Sequence, residues 1–134
     1  MKKLFETKMI NTGGRSGVSK APDGSLVLKI EPPEKGDKGA TNPEQLFAAG
    51  YAACFNSALA LVKGKAGVAG ESTVEVTVSL NSEGAEKFVI GAVIEGHIDG
   101  VSLEQAQELL EKAHTVCPYS KAVKGNVEVV VKAI

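Results

Sequence analysis

The sequence predicts an α+β fold, a single domain over residues 1–134 in which an antiparallel sheet packs on two helices. Three observations predict it. Residues 73–80 alternate polar and apolar without a break, Leu46 to Val62 contains no charged residue, and Leu103, Ala106, Leu110, Ala113 and Val116 recur at helical spacing. In chain order these give strands, helix, hairpin, helix and strand, the pattern of an α+β domain with antiparallel sheet. A chain of 134 residues is long enough for one core and short for two, and no shift in composition marks a boundary.

The elements follow from local chemistry. Pro22-Asp23-Gly24 is a turn signal, because Pro presets φ and Gly accepts positive φ. After it Leu26, Leu28 and Ile30 alternate with Ser25, Val27 and Lys29 as a half-buried strand, and the residues before the turn supply one or two more. Residues 32–39 are polar and rich in breakers, hence a loop. Asn42 as N-cap, Pro43 in the first helical position and Glu44 at the positive helix end open a helix expected to run to Lys63, with Gly64 as its C-cap. Val74, Val76, Val78 and Leu80 form one face of the clearest strand, and 88–98 reads as its hairpin neighbour with Gly84 in the loop between. Ser102 and Gln105 form a capping-box pattern ahead of the second helix, and Val127 to Ile134 closes the chain as a strand.

The uncharged stretch spans about 25 Å at 1.5 Å per residue, which touches the lower limit for crossing a bilayer. Its alanines, Gly50, Asn56 and Ser57 favour instead a helix buried on nearly all sides. One sheet cannot cover that many faces, so the expectation is an obligate homodimer with this helix near its centre and no membrane partner. Lys plus Arg number 15 and Asp plus Glu 16, which gives no reason to expect nucleic acid. The early lysines are followed by no apolar run, and two cysteines are too few for a secreted disulfide scaffold, so a reducing cytoplasm is expected.

Cys54 and Cys117 are the candidates for chemistry. Cys54 stands midway along the uncharged helix, where an inert buried thiol is the plain alternative. Cys117 precedes Pro118, which ends one helix or starts a short helical turn; in the second case Cys117 is its N-cap, a position that favours thiolate. A reactive thiol also needs a cation. The sequence has one arginine, Arg15, in Gly13-Gly14-Arg15-Ser16-Gly17: either a solvated turn residue or a guanidinium brought by flexible backbone into a confined site. Glu44 is the natural carboxylate for its two-pronged grip. Glu44 and Cys54 lie ten residues, about 15 Å, apart on one helix, so a site using both is expected at a dimer interface where two such helices cross antiparallel.

Two long segments carry a family resemblance. Thr41-Asn42-Pro43-Glu44-Gln45-Leu46-Phe47-Ala48-Ala49-Gly50-Tyr51-Ala52-Ala53-Cys54-Phe55 resembles the signature of the organic hydroperoxide resistance proteins, a branch of the OsmC/Ohr family. Ala113-His114-Thr115-Val116-Cys117-Pro118-Tyr119-Ser120, with Gly125-Asn126, is similar to the branch's second signature, and Gly13-Gly14-Arg15 and Asp23-Gly24 agree with its N-terminal part. The resemblance implies an intertwined homodimer with long central helices between antiparallel sheets. It implies a peroxidase without cofactor, with Cys54 peroxidatic, Cys117 its resolving disulfide partner, and Arg15 and Glu44 supporting. It also implies organic hydroperoxides as substrates and a lipoylated protein or dihydrolipoamide as reductant. Phe47, Tyr51, Phe55 and Tyr119 are candidates to line an apolar substrate pocket, with core packing as the alternative. Two departures, a loop at 34–40 poorer in glycine and Lys121 where Asn is common, bear on the pocket rim and the reductant contact.

Other readings use the same residues. His114 and Cys117, spaced i, i+3, with Cys54 as a third ligand would make a metal site, but Pro118 follows directly and no fourth ligand is evident. A Cys-His hydrolase lacks a glycine-rich oxyanion loop beside Cys54. A non-enzymatic redox sensor or binding module is separated from a peroxidase by turnover. His97 reads as a strand or turn residue.

Overall fold

The computed structural model of the protein describes residues 1–134, and they fall into two compact units, Met1–Leu46 and Phe47–Ile134. The first unit is a four-stranded sheet. Strands β1 (Ile10–Thr12), β2 (Gly17–Lys20) and β3 (Val27–Ile30) pair antiparallel in order, and β4 (Ala40–Thr41) adds a short parallel edge to β3. The turn forms where Pro-Asp-Gly predicts it: Gly24 has φ +76° and its N–H donates to Ala21 O at 3.0 Å. Asp23 then accepts from the Ser25 N–H at 3.0 Å and its hydroxyl at 2.6 Å, and this local capping delays β3 by two residues from the point where the alternation begins. The breaker-rich loop holds a 3-10 turn, Pro33–Lys35, and β4, whose two residues are too few to show any periodicity. Ile30 is the unit's one buried apolar residue, while Leu4, Phe5, Met9, Ile10, Val18, Leu26 and Val27 stay exposed.

Helix α1 (Pro43–Ala66) opens on the expected cap, with the Gln45 N–H donating to Asn42 Oδ1 at 2.8 Å. It does not stop at Gly64. Gly67 takes the left-handed conformation at φ +71°, and the Val68 and Gly67 N–H groups donate back to Lys63 O and Gly64 O at 3.0 and 3.3 Å. This paired reversal satisfies two end carbonyls at once, so the helix ends where that geometry closes rather than at the first glycine. Within the second unit α1 buries Tyr51, Phe55, Ala58, Leu59 and Val62, a stripe at helical spacing. By length and composition α1 is apolar enough to cross a membrane, with mean hydropathy 1.4 over an 18-residue stretch of which 22% is buried.

The remaining elements are β5 (Ser72–Ser82), β6 (Phe88–Ile98), α2 (Leu103–Val116), α3 (Pro118–Val123) and β7 (Val129–Ala133). β5 and β6 pair antiparallel along their whole length, from Ser72 facing Ile98 to Ser82 facing Phe88, and β7 lies parallel to β6. The sheets are therefore not wholly antiparallel. β7 returns to β6 only after the helical α2–α3 excursion, and a crossover of that length delivers a strand in the same direction. α2 starts at Ser102, whose Oγ accepts from the Gln105 N–H at 3.1 Å, and it buries Ala106, Leu109, Leu110 and Ala113. Leu103 and Val116, counted in the sequence among the buried face, are 63% and 37% exposed, and they are the first and last residues of the helix.

The core joins α1 and α2 to Ile94 and Ile98 of β6, with Cys117 among its fully buried members. Gly96 makes the close contact possible: a Cβ there would overlap the fully buried Leu110 side chain. Gly96→Ala is expected to destabilise the protein by about 1–3 kcal/mol through overpacking. Urea unfolding with a lowered midpoint and an unchanged slope would show it, and a wild-type midpoint would contradict it.

Candidate active site

The structure gathers the sequence candidates into two clusters, one in each unit. In the first, Gly13 (φ +88°) leads into a 3-10 turn, Gly14–Ser16, that presents Arg15. Asn11 fastens this turn: its Oδ1 accepts from the Gly14 N–H at 2.9 Å, and its Nδ2 donates to Gly14 O at 3.3 Å and Ser19 Oγ at 3.1 Å. Arg15 grips Glu44 with both prongs, Nη1 donating to Oε2 at 2.9 Å and Nη2 to Oε1 at 2.6 Å. The pairing predicted from the sequence is present. Hydrogen bonding to Arg15 holds the Glu44 carboxyl below its ordinary range against the opposing effect of burial, and the same contact raises Arg15. The Glu44 side chain is 16% exposed and that of Arg15 55%, so the carboxylate is anchored and the guanidinium still faces outward.

The second cluster holds the thiols. Cys54 is half-buried on α1 and Cys117 has no exposed surface, with 3.5 Å between the sulfurs and the Cys117 S–H directed at Cys54 Sγ. Cys117 is a corner residue. Its N–H donates to Ala113 O at 2.9 Å to finish α2, and its carbonyl accepts from the Lys121 N–H at 3.1 Å to begin α3, with Pro118 in the first helical position. Both readings of the Cys-Pro step, as a stop and as a start, are thus realised together. Burial pushes the Cys54 thiol above its ordinary value; a hydrogen bond from the Tyr119 N–H lowers it, and Cys117 raises it further. No cation acts on it within this unit.

The four aromatic candidates divide. Tyr51 and Phe55 are fully buried core residues, whereas Phe47 and Tyr119 keep surface. Phe47, Tyr51 and Tyr119 form a ring cluster with centroids 5.7 to 6.0 Å apart. Gly50 lets it close, since a Cβ there would come within 2.9 Å of Tyr119 Oη. The hollow of about 550 Å³ beside α1 is lined by Ala53, Asn56, Ala60 and Ser72 among others and includes neither cysteine.

Sequence reasoning missed Ser120. Its Oγ lies 2.7 Å from Tyr51 Oη and 2.8 Å from His114 Nδ1, so the imidazole weighed as a metal ligand is engaged with a hydroxyl. Burial, then Lys124, lowers the His114 pKa and so favours the neutral ring. The available signal was spacing: Ser120 and His114 each stand three residues from Cys117. No group of three or more His, Cys, Asp and Glu is placed to hold a metal ion. Lys121 is exposed on α3.

The family described as OsmC-like protein matches residues 35–132. The organic hydroperoxide resistance protein-like 2 of Staphylococcus epidermidis is 42% identical over 131 residues, covering 94% of this chain and 92% of the relative. Among solved structures, the organic hydroperoxide resistance protein OhrB of Bacillus subtilis superposes with a TM-score of 0.90 at 42% identity, over 98% of this chain and 100% of the other. An organic hydroperoxide resistance protein from Legionella pneumophila does so with 0.88 at 42% identity, over 98% of each.

Proposed function

This chain belongs to the OsmC-like family, in its organic hydroperoxide resistance branch, and from that premise we propose that it is a cysteine-based peroxidase reducing organic hydroperoxides to alcohols. The observation that carries the reading is the thiol pair, two sulfurs 3.5 Å apart with Cys54 reachable and Cys117 sealed. Cys54 thiolate attacks the distal peroxide oxygen; the O–O bond breaks, an S–O bond forms, and the alkoxide takes up a proton to leave as the alcohol. Cys117 then condenses with the Cys54 sulfenic acid, releasing water and leaving a disulfide. A dithiol of the lipoyl class restores both thiols by two exchange steps.

Arg15 is the cation of this scheme. Burial holds Cys54 protonated, and a guanidinium that stays charged when desolvated corrects this and steadies charge on the leaving oxygen. Glu44 aims it. We assign the complete site to a homodimer in which two α1 helices cross antiparallel, so that Glu44 of one chain approaches Cys54 of the other. The largely uncovered α1 and the exposed apolar residues of the first unit support a second copy as the cover, in a cytoplasmic protein.

The test is peroxide consumption by the purified protein with dihydrolipoamide, comparing cumene hydroperoxide with hydrogen peroxide. Sustained turnover favouring the organic substrate is expected. Oxidation that stops after one equivalent would make the protein a sensor, and thiols that stay reduced would remove the redox role altogether.

A further inference from the structure

Three polar side chains of the second unit form a hydrogen-bonded chain, Tyr51–Ser120–His114, that the reaction above leaves unused. Tyr51 is fully buried and Ser120 is 3% exposed, so bulk water does not substitute for either partner. Each member stands one helical turn from a cysteine. Tyr51 precedes Cys54 by three residues on α1, His114 precedes Cys117 by three on α2, and Ser120 follows Cys117 by three on α3. The chain therefore ties the helix carrying one thiol to the corner carrying the other.

The hydroxyl of Ser120 has one proton and two partners, so it donates to at most one of them and at least one must donate to it. When His114 Nδ1 accepts, Tyr51 must donate to Ser120; when Nδ1 carries the proton it donates to Ser120, which either donates to Tyr51 or accepts from it. In every setting both contacts are directional hydrogen bonds, a constraint that apolar packing does not impose. We propose that Ser120 is a positioning residue for disulfide closure: through Tyr51 and His114 it holds Cys117 Sγ in register with Cys54 Sγ and so sets the rate of Cys54–Cys117 bond formation.

The S–O bond of the Cys54 sulfenic acid breaks, the S–S bond forms, and the Cys117 proton departs with the hydroxyl as water. One sulfur is oxidised as the other is reduced. The sulfurs must close from 3.5 Å to a bond of about 2.05 Å, so small errors in register act directly on the rate. The proposal rests on the peroxidase reading for the identity of the oxidant alone.

The experiment is single-turnover oxidation of the full-length wild type, Ser120→Ala and Tyr51→Phe, with one equivalent of cumene hydroperoxide and separately with diamide. Loss of the Cys54 thiol and appearance of the disulfide are followed as separate signals. In Ser120→Ala the first signal is expected within about threefold of wild type and the second slowed about tenfold or more, with both oxidants. Tyr51→Phe, which keeps the ring and loses only the hydroxyl, is expected to slow closure as well. Wild-type closure rates in the folded variants would overturn the proposal. So would a Ser120→Ala protein in which both steps fail together, since that marks general loosening. A wild type inert to hydroperoxide whose variants still close slowly with diamide would retire the peroxidase reading and leave the positioning role standing.

Discussion

Replacement of Cys54 by serine is expected to remove hydroperoxide reduction by at least about a thousandfold, to the level of the uncatalysed reaction. A hydroxyl has neither the acidity nor the nucleophilicity to open the O–O bond, and no second thiol can take over. Cys117, 3.5 Å away, has no exposed surface from which to meet a substrate. Cys117→Ser is expected to behave differently. Its first equivalent of peroxide is consumed normally, after which Cys54 stays as sulfenic acid and passes to sulfinic acid when peroxide is in excess. Stopped-flow peroxide consumption and intact mass after one and after many equivalents distinguish the two variants. Substantial residual turnover in Cys54→Ser would sink the assignment of the reactive sulfur.

Arg15→Met is expected to lower kcat/KM by about a hundred- to a thousandfold, the range found when a donor aimed at developing negative charge is removed. Burial raises the Cys54 thiol, so without a cation little thiolate is present near neutral pH. The pH profile of Cys54 alkylation in Arg15→Met should accordingly lie to the alkaline side of wild type; superimposable profiles would show that Arg15 does not act on the thiol. The acid side follows from Glu44. Its carboxyl is depressed by Arg15, so the pair's contribution is fully present above the ordinary carboxylate value near 4.5 and is lost as pH falls through the lower folded value. Glu44→Gln removes this acid limb and leaves Arg15 charged but poorly aimed, and a loss smaller than that of Arg15→Met is expected. The guanidinium is more than half exposed, so the contact matters for its direction more than for global stability.

The parts of the fold that were legible in the sequence are those whose signal is local. The β5–β6 hairpin could be read because a strand half-covered by core alternates with period two, and the start of α1 because Asn42, Pro43 and Glu44 each act within one turn. The end of α1 was misplaced because two carbonyls are satisfied by residues beyond the first glycine, a condition that composition does not reveal. β4 and the parallel placement of β7 depend on pairing with distant strands, and nothing within their own residues specifies the partner. In the site, the Arg15–Glu44 grip could be anticipated from charge and rarity. Ser120 could not, because a lone serine on a short helix carries no signal until the fold brings Tyr51 and His114 to it.

The parallel seating of β7 on β6 has a consequence for how the chain matures. The β5–β6 hairpin closes through neighbours in sequence, whereas Ala92 meets Val129 only after the whole segment bearing Cys117 has looped out and returned. Pairings of that kind form late, because loop closure must come before the contacts that reward it. A newly made or transiently opened chain therefore carries Cys54 on an early helix while its partner thiol is still elsewhere. On the proposed peroxidase reading, a Cys54 oxidised during that interval would have no partner to resolve it and would be open to irreversible oxidation and to disulfides with other molecules. That reading makes the lifetime of the unfinished state, as well as the chemistry of the folded one, a determinant of oxidative damage.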